Sequence, residues 1–436
     1  MIRIVLAAAV AVWAALPARA EVDIQEVVSP GGIRAWLVEE RSIPFTALEI
    51  RFRGGAALDR PGKRGAVNLM TGLLEEGAGD LDAQGFAAAR ESLAASYDFD
   101  AWDDSMSVSA RFLTENRDEA VALLRSALVD PRFDEDAVER VRAQVLSIIA
   151  SDAQDPDTIA SRTFDAMAFP DHPYGTAMDG TLESVAALTR DDIVQAHRDV
   201  LVSDRVFVGA VGDISAEDLG LLLDDLLGEL PQTGAPLPGD AGYALEGGVT
   251  VVEFDTPQSV ILFGHEGIER DDPDFFAAFV ANHIFGGRGF SSRLMTEVRE
   301  KRGLTYGIGT YLAPMLNAEL IMGHAATANA RAAESVEVIR EEWAKIAETI
   351  TEDELEAAKT YLTGAYPLRF DGNARIAGIM VGMQMEDLPI DYIATRNDQV
   401  RAVTLEDVRR VAERIYRADE LHFVVVGRPE GLNPAN

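Results

Sequence analysis

The chain of 436 residues contains no cysteine. It therefore has no disulfide framework, no thiol for lipid attachment and no cysteine nucleophile. Long apolar runs are also missing, apart from residues 4–16 at the N-terminus. That run is shorter than the roughly twenty residues that a membrane-spanning helix needs. The sequence therefore predicts a soluble mature protein.

The N-terminal segment has the three parts of a secretory signal peptide. Arg3 supplies a positive charge, residues 4–16 supply the apolar stretch, and residues 18–20 (Ala-Arg-Ala) form a cleavage site. We expect residues 1–20 to be removed and the mature chain to begin at Glu21. This leader predicts a periplasmic or secreted protein.

Basic residues are few, because 39 lysines and arginines stand against 73 aspartates and glutamates. The formal net charge of −34 becomes −36 when Arg3 and Arg19 leave with the leader. Such a surface repels phosphate backbones and anionic membranes, so nucleic acid is a poor partner. We interpret the acidity as a solvated surface, in preference to a site for a basic ligand. The 47% hydrophobic content is enough to bury the cores of roughly two or three domains.

An internal repeat determines the predicted architecture. In each copy a threonine precedes acidic residues, a helical pattern follows, and a buried strand ends in glycine. Thr189 corresponds to Thr404 and Gly212 to Gly427, both at an offset of 215 residues. Earlier in the copies, the predicted helix that begins at residue 134 pairs with the one that begins at Thr351.

Asn68 corresponds to Asn282 at an offset of 214 residues, which extends the repeat toward the start of each copy. Between the copies, residues 231–246 begin with a stretch rich in proline and glycine and predict a linker. The fold prediction is α+β with two homologous modules, 21–230 and 247–436. Each module is expected to be a mostly antiparallel sheet with helices packed on one face.

Residues 65–77 resemble the first long helix of the pitrilysin, or insulinase-like, zinc peptidase family. In that family the helix carries the inverted zinc motif H-x-x-E-H. Its histidines share one helical face and bind zinc, while the glutamate activates a zinc-bound water. Here Asn68, Thr71 and Gly72 stand at the first histidine, glutamate and second histidine positions. None of them can bind zinc as imidazole does or act as a general base.

The family's third ligand is a glutamate on a later helix, which residues 144–149 resemble. Ser147 and Ile148 stand where paired glutamates are expected. The resemblance therefore implies a degenerate zinc site and no cofactor bound by this chain. It also implies that the two modules form half of a clamshell chamber, and that zinc is held by a partner subunit.

The six histidines do not offer a replacement zinc site, since no two of them have the i, i+4 spacing. His265 and Glu266 begin an H-E-x-x-H pattern, but Glu269 stands at the second histidine position, so we interpret the match as chance. His172, in the loop H-P-Y-G, also resembles the family, and we interpret it as structural.

The second module retains the segment R-G-L-x-Y at 302–306. By resemblance to the family, Arg302 and Tyr306 line the chamber opposite the zinc and bind the substrate backbone near the scissile bond. A guanidinium and a phenol can donate hydrogen bonds to a peptide carbonyl or to a developing oxyanion. Without the resemblance, a surface arginine and a core tyrosine would be the simpler interpretation.

A glycine cluster, Gly286, Gly287 and Gly289, precedes this segment. Its spacing is not G-x-G-x-x-G, so it does not predict a dinucleotide or phosphate site. A tight turn between helices is the plainer interpretation. The cluster also resembles the glycine-rich substrate loop of the non-catalytic subunit of mitochondrial processing peptidase.

Three functions remain open. The leading hypothesis is a non-catalytic subunit that pairs with an H-x-x-E-H-bearing paralogue and contributes Arg302 and Tyr306 to the degradation or processing of peptides. The second is a stand-alone homodimer that binds peptides or acts as a scaffold without hydrolysis. The third is a hydrolase with another nucleophile, which is disfavoured because no G-x-S-x-G elbow is present. An adjacent gene for an intact paralogue would favour the first.

Overall fold

Two sheets, one in each half of the chain, organise the protein in a computed structural model that describes residues 22–287 and 291–432. The leader expected at 1–20 and Gly289 of the glycine cluster lie outside the described residues. Among the helices that the structure describes, none is both long and apolar enough to cross a membrane.

The first sheet is built from residues of the first half. The strands of that half are β1 (Gln25–Val28), β2 (Arg34–Glu39), β3 (Phe45–Arg53), β4 (Gly77–Ala78), β5 (Leu81–Asp82), β6 (Ser96–Ala101), β7 (Ser105–Leu113) and β8 (Val206–Gly212). Six of them form one sheet in the order β1-β2-β8-β3-β7-β6. Neighbours run antiparallel except β2 and β8, which are parallel. β4 and β5 pair separately.

The second sheet repeats this plan. Its strands are β9 (Gly248–Glu253), β10 (Gln258–Glu266), β11 (Thr305–Pro314), β12 (Glu319–Ala328) and β13 (His422–Gly427). They lie in the order β11-β12-β10-β13-β9, and only β13 and β9 are parallel. The predicted α+β class with mostly antiparallel sheets is confirmed.

Helices pack against both sheets. In the first half they are α1 (Ala66–Thr71), α2 (Ala83–Ser92), α3 (Arg117–Val129), α4 (Glu135–Asp152), α5 (Pro156–Ala168), α6 (Leu182–Ala186), α7 (Arg190–Val200) and α8 (Ala216–Leu227). In the second half they are α9 (Phe275–Phe285), α10 (Ala332–Thr349), α11 (Glu352–Ala365), α12 (Asn373–Met385), α13 (Tyr392–Ala402) and α14 (Leu405–Ile415). A π-helical segment spans Met295–Glu300, and short 3-10 turns span Ala56–Leu58, Thr114–Asn116, Pro173–Gly175, Ser203–Arg205, Asn329–Arg331 and Tyr366–Arg369.

The repeated residues occupy equivalent places in the two halves. Thr189 caps α7 through a capping box, and Thr404 caps α14 in the same way. The strand that follows each helix ends in a glycine with positive φ, 147° at Gly212 and 153° at Gly427. Glycine is suited to this conformation because it has no Cβ to clash with the backbone.

Each sheet is also covered by a helix from the other half. On the second sheet, Phe164 of α5 packs in a cluster with Val424 and Val426 of β13. On the first sheet, Ala377 and Met380 of α12 pack in a buried cluster with Val211 of β8. The sequence predicted helices on one face of each sheet, and the structure adds this exchanged helix on the opposite face.

The segment 231–246 contains neither helix nor strand and hydrogen bonds to residues of both halves. The amide of Ala241 donates to the Asn317 carbonyl at 2.7 Å in the second half. Elsewhere, Nη2 of Arg53 donates to the Met385 carbonyl at 2.6 Å. Polar contacts therefore supplement the exchanged helices in holding the halves together.

Candidate functional site

The helix at the lost zinc-motif positions is short and anchored at its start. Gly65 precedes α1 with φ of 94°, and the Asp59 carboxylate accepts hydrogen bonds from the amides of Gly65 and Val67 at 2.8 and 2.9 Å. Burial raises the pKa of Asp59 to about 6, against the effect of these hydrogen bonds. This carboxylate satisfies amides at the start of α1 and is committed to local structure.

Asn68 and Thr71 on this helix, and Gly72 directly after it, do not form a metal-binding set. The buried Thr71 hydroxyl donates to the Val67 carbonyl at 2.8 Å, and the Asn68 side chain makes no hydrogen bond with any residue that the structure describes. A Cβ at Gly72 would lie 3.2 Å from Cγ1 of Val141, so the neighbouring helix α4 already occupies the space beside it. A histidine at position 72 would need Val141 to move.

Ser147 lies further along α4, with its side chain exposed. The structure brings α1 and α4 into contact, as the predicted site requires. Together Asn68, Thr71, Gly72 and Ser147 offer an amide and hydroxyls but no imidazole or carboxylate, so they do not fit zinc. Within 22–287 and 291–432, no group of three or more histidine, cysteine, aspartate or glutamate side chains could hold a metal ion.

The R-G-L-x-Y segment forms the entry to edge strand β11 in the second half. Nη1 of Arg302 donates to the backbone carbonyl of Glu297 at 2.7 Å and to its carboxylate at 2.9 Å. A hydrogen bond from Lys301, together with the one from Arg302, lowers the pKa of the Glu297 carboxyl. Arg302 is thus fixed through one amino group, and its side chain remains a third exposed.

Tyr306 is not a core residue, since it is 88% exposed. It lies where the register of β11 against β12 shifts, between Thr305 and Ile308. The Thr305 hydroxyl lies 2.7 Å from the carbonyl oxygens of Gly307 and Ala326 and can donate to either, and it accepts from the Gly307 amide at 3.1 Å, which fixes this irregularity. The structure therefore presents a phenol to solvent from a restrained backbone.

Gly286 and Gly287 follow α9 and have a packing role. A Cβ at Gly286 would lie 2.3 Å from Oγ1 of Thr310, and one at Gly287 would lie 2.6 Å from Cα of His283. Nearby, Oδ1 of Asn282 accepts from the Thr310 hydroxyl at 2.7 Å. These glycines allow the end of α9 to contact β11 closely, which agrees with the tight-turn interpretation.

Two histidines singled out in the sequence have structural partners. His265 is fully buried, and its ring bonds to the Glu266 carbonyl and the Trp343 indole. His172 accepts a hydrogen bond from the Tyr174 amide at 3.3 Å and packs edge to face on its ring. Neither is part of a metal site.

Sequence reasoning missed a cavity of about 760 Å³ beside β11, lined by arginines and aromatic rings. Its residues come from positions as far apart as Arg51 and Arg396. The only sequence signal was the recurrence of arginine near aromatic residues at 366–396 in an otherwise acidic chain.

The duplicated α+β halves resemble a zinc peptidase, but the helix at the metal-motif position carries no zinc ligand among its described residues. Residues 187–362 match the family model for the peptidase M16 inactive domain. A Pseudomonas fluorescens structure described as a peptidase M16 inactive domain superposes with a TM-score of 0.88 at 28% identity, covering 95% of this chain and 100% of that chain.

Curated relatives agree with this assignment. A Helicobacter pylori protein named non-peptidase homolog YmxG is 27% identical over 392 residues, which are 89% of this chain and 90% of that protein. An uncharacterized zinc protease of Streptomyces coelicolor is 25% identical over 407 residues, 90% of this chain and 87% of that protein. The resemblance to the pitrilysin, or insulinase-like, peptidase family that the sequence indicates is confirmed. The inactive-domain match fits a chain that binds no metal of its own.

Proposed function

We propose that this chain is the non-catalytic subunit of a periplasmic heterodimeric zinc metallopeptidase. Its partner is a paralogue that carries H-x-x-E-H and zinc, while this chain supplies Arg302, Tyr306 and half of the chamber. The observation that carries the proposal is the 88% exposure of Tyr306 on a restrained irregularity of edge strand β11, four residues beyond Arg302.

The pair has the donors that peptide hydrolysis needs. Glu297 engages Nη1 of Arg302, and Nε and Nη2 make no hydrogen bond with any described residue. These groups and the Tyr306 hydroxyl can donate to a substrate carbonyl, and their bonds strengthen as charge develops on that oxygen. Such donors act without touching metal, so the zinc and the general base can belong to another chain.

The segment is also held firmly enough to position its donors. Gly303 turns the chain with φ of 61°, Leu304 is buried, and the Thr327 hydroxyl donates to the Leu304 carbonyl at 2.6 Å. Donors fixed in advance lose little free energy to reorganisation when the reaction occurs.

The test is to express this chain with the H-x-x-E-H paralogue of the same organism and to measure peptide turnover and zinc content. Tyr306→Phe and Arg302→Ala should each lower turnover by about a hundredfold to a thousandfold, the cost of removing one oxyanion donor. Assembly and zinc content of the complex should not change, and the isolated chain should hold no stoichiometric zinc.

Tyr361→Phe is the matched control, because Tyr361 is 57% exposed but lies on α11, stacked on His283. It should leave turnover unchanged. Full activity of both the Tyr306 and Arg302 variants, in a complex that requires this chain, would show that the chain is only a wall of the chamber.

The alternative is a stand-alone peptide-binding or scaffold homodimer without hydrolytic activity. The non-peptidase name of the Helicobacter pylori relative favours it. A chain that forms homodimers, and that no H-x-x-E-H paralogue joins or activates, would support this alternative.

A further inference from the structure

The cavity beside β11 has walls of two kinds, aromatic and cationic. Its volume of about 760 Å³ lies within the range of small-molecule sites. The lining includes Phe275, Phe276 and Phe279 of α9 together with Tyr366 and Tyr392. The aromatic rings give the cavity room for an apolar group.

Arg270 lies among these rings and forms no close ion pair with a described carboxylate, although its charge acts on the Glu386 carboxyl of the same lining. Its guanidinium carbon lies 4.2 Å from the centre of the Phe275 ring and 5.5 Å from that of Tyr392. Nη2 also donates to the Tyr392 hydroxyl at 2.8 Å. The close contacts of its guanidinium are therefore π faces and one neutral acceptor, and Glu386 acts on it from beyond ion-pair distance.

Arg396 repeats the arrangement at greater depth, since it is only 5% exposed. Nη1 donates to the Leu362 carbonyl at 3.0 Å, and the guanidinium lies over the Tyr366 ring at 4.5 Å. It too has no ion-pair partner among the described carboxylates. A buried cation without a counter-ion is costly, so an anion in the cavity would be stabilised there.

The remaining charges of the lining are also mostly positive. Arg369 and Arg375 are exposed at its edge, and Arg51 is paired with Glu49 at 3.4 Å. Glu386 is the one acidic residue among the lining residues that the structure describes. Arginines thus outnumber acidic residues in this lining, although the whole chain carries a net charge of −34.

We propose that this cavity binds a carboxylate joined to an apolar or aromatic body, as found at the C-terminus of a peptide that ends in a large apolar residue. Arginine suits the carboxylate because its planar fork can donate two hydrogen bonds to it. The aromatic walls suit the terminal side chain. The choice of a peptide as the source of the carboxylate rests on the proposed function.

The position of the cavity agrees with a peptide that follows β11. Tyr311 and Leu312 of that strand line the cavity, and Tyr306 lies five residues before Tyr311. Five extended residues span about 17 Å, at about 3.4 Å each. A peptide that contacts Tyr306 and runs parallel to β11 would therefore place a C-terminus about five residues further on into the cavity.

The test measures binding to the full mature chain without its partner. The probes are an acetylated alanine hexapeptide ending in phenylalanine with a free carboxylate, the same peptide as its C-terminal amide, and 3-phenylpropionate. Titration calorimetry should show at least tenfold tighter binding of the free-carboxylate peptide than of the amide. Arg270→Gln should abolish that difference, and Arg270→Lys should reduce it, because lysine keeps the charge but not the fork.

Arg340→Gln is the matched control, since Arg340 also stacks on an aromatic ring, Phe423 at 5.2 Å, but lies away from the cavity. It should keep the tenfold difference. Equal binding of acid and amide, no binding of either, or an unchanged difference in Arg270→Gln would each overturn the proposal.

The third probe separates the two sources of the carboxylate. If 3-phenylpropionate binds as tightly as the peptide, the ligand is a free acid and the assignment to a peptide end is wrong. The assay does not use turnover, so it is independent of the partner and its zinc. Turnover of the complexes carrying Tyr306→Phe or Arg302→Ala and the acid–amide difference of the isolated chain are separate readouts, so failure of the catalytic role stays distinct from failure of the cavity.

Discussion

His265 provides a test of how burial controls protonation in the interior of the second half. It lies on β10 with no exposed surface. Its Nδ1 is 2.7 Å from the Glu266 carbonyl, which can only accept, and its Nε2 is 3.2 Å from Nε1 of Trp343, which can only donate. The ring is therefore neutral with its proton on Nδ1. A second proton on Nε2 would face the indole N–H.

The size of the pH effect on the free energy of unfolding follows from the pKa of this ring. Burial lowers the pKa of His265 from 6.5 to about 4, with a smaller contribution from Arg417. Because the folded pKa is depressed, the neutral ring stabilises the fold above pH 6.5, and this contribution is lost as the pH falls toward 4. The neutral ring contributes about 3 kcal/mol to the free energy of unfolding, of which about 2 kcal/mol is lost by pH 5.

The substitution His265→Gln removes the titration, while an amide can still donate to Glu266 and accept from Trp343. Denaturant unfolding of the mature chain at pH 7.5 and pH 5.0 gives the free energy of unfolding. The unsubstituted protein should lose about 2 kcal/mol more than His265→Gln over this interval. Both proteins should show the same dependence on denaturant concentration, since a changed slope would mean a changed unfolding transition. Equal losses would refute the reasoning, because they would mean that His265 is protonated without cost.

Two further predictions concern the repeat and a buried carboxylate. Gly212→Ala and Gly427→Ala should each lower the free energy of unfolding by about 2 kcal/mol or more, since both glycines have positive φ and an added Cβ would meet atoms at 2.3 and 2.6 Å. Gly239→Ala should leave the free energy of unfolding unchanged in the same denaturation assay, because a Cβ there would meet no atom within 4 Å. Burial raises the pKa of Asp165 to about 7, so its contribution to stability is present below pH 4 and lost as the pH rises through 7. Asp165→Asn should therefore gain stability relative to the unsubstituted protein between pH 5 and pH 8 in thermal unfolding, and a constant difference would contradict this.

The repeat was predictable because its signals are local. A threonine that caps a helix through an acidic residue three positions later needs no distant partner, and both Thr189 and Thr404 do so. The glycines that end β8 and β13 are likewise a property of the local backbone. Such elements can be read from one segment of sequence, and two segments of the same kind then predict two similar modules.

The exchanged helices could not be predicted in this way. The apolar residues of α5 and α12 indicate that each helix buries a face, but they do not indicate which sheet receives it. Gly209 of β8 meets the Ala377 carbonyl so closely that a Cβ would lie 2.7 Å from it, and the two residues are far apart in sequence. The arginine-lined cavity was missed for the same reason, because Arg51 and Arg396 meet only in the folded chain.

The exchanged helices also bear on how a chamber made with a second chain could open. Phe164 is fully buried in the cluster that α5 forms with β13, and Met380 is fully buried in the cluster that α12 forms with β8. Separating the halves would expose apolar faces of both sheets, at a cost of about 25 cal/mol for each Å². Because both sheets are covered in this way, such a separation is costly. We therefore expect the two halves to move as one body, so that in the proposed heterodimer substrate entry depends on the interface between this chain and the partner. The distance from Tyr306 to the arginine-lined cavity is then fixed within one chain, and it can select peptide length whether the chamber is open or closed.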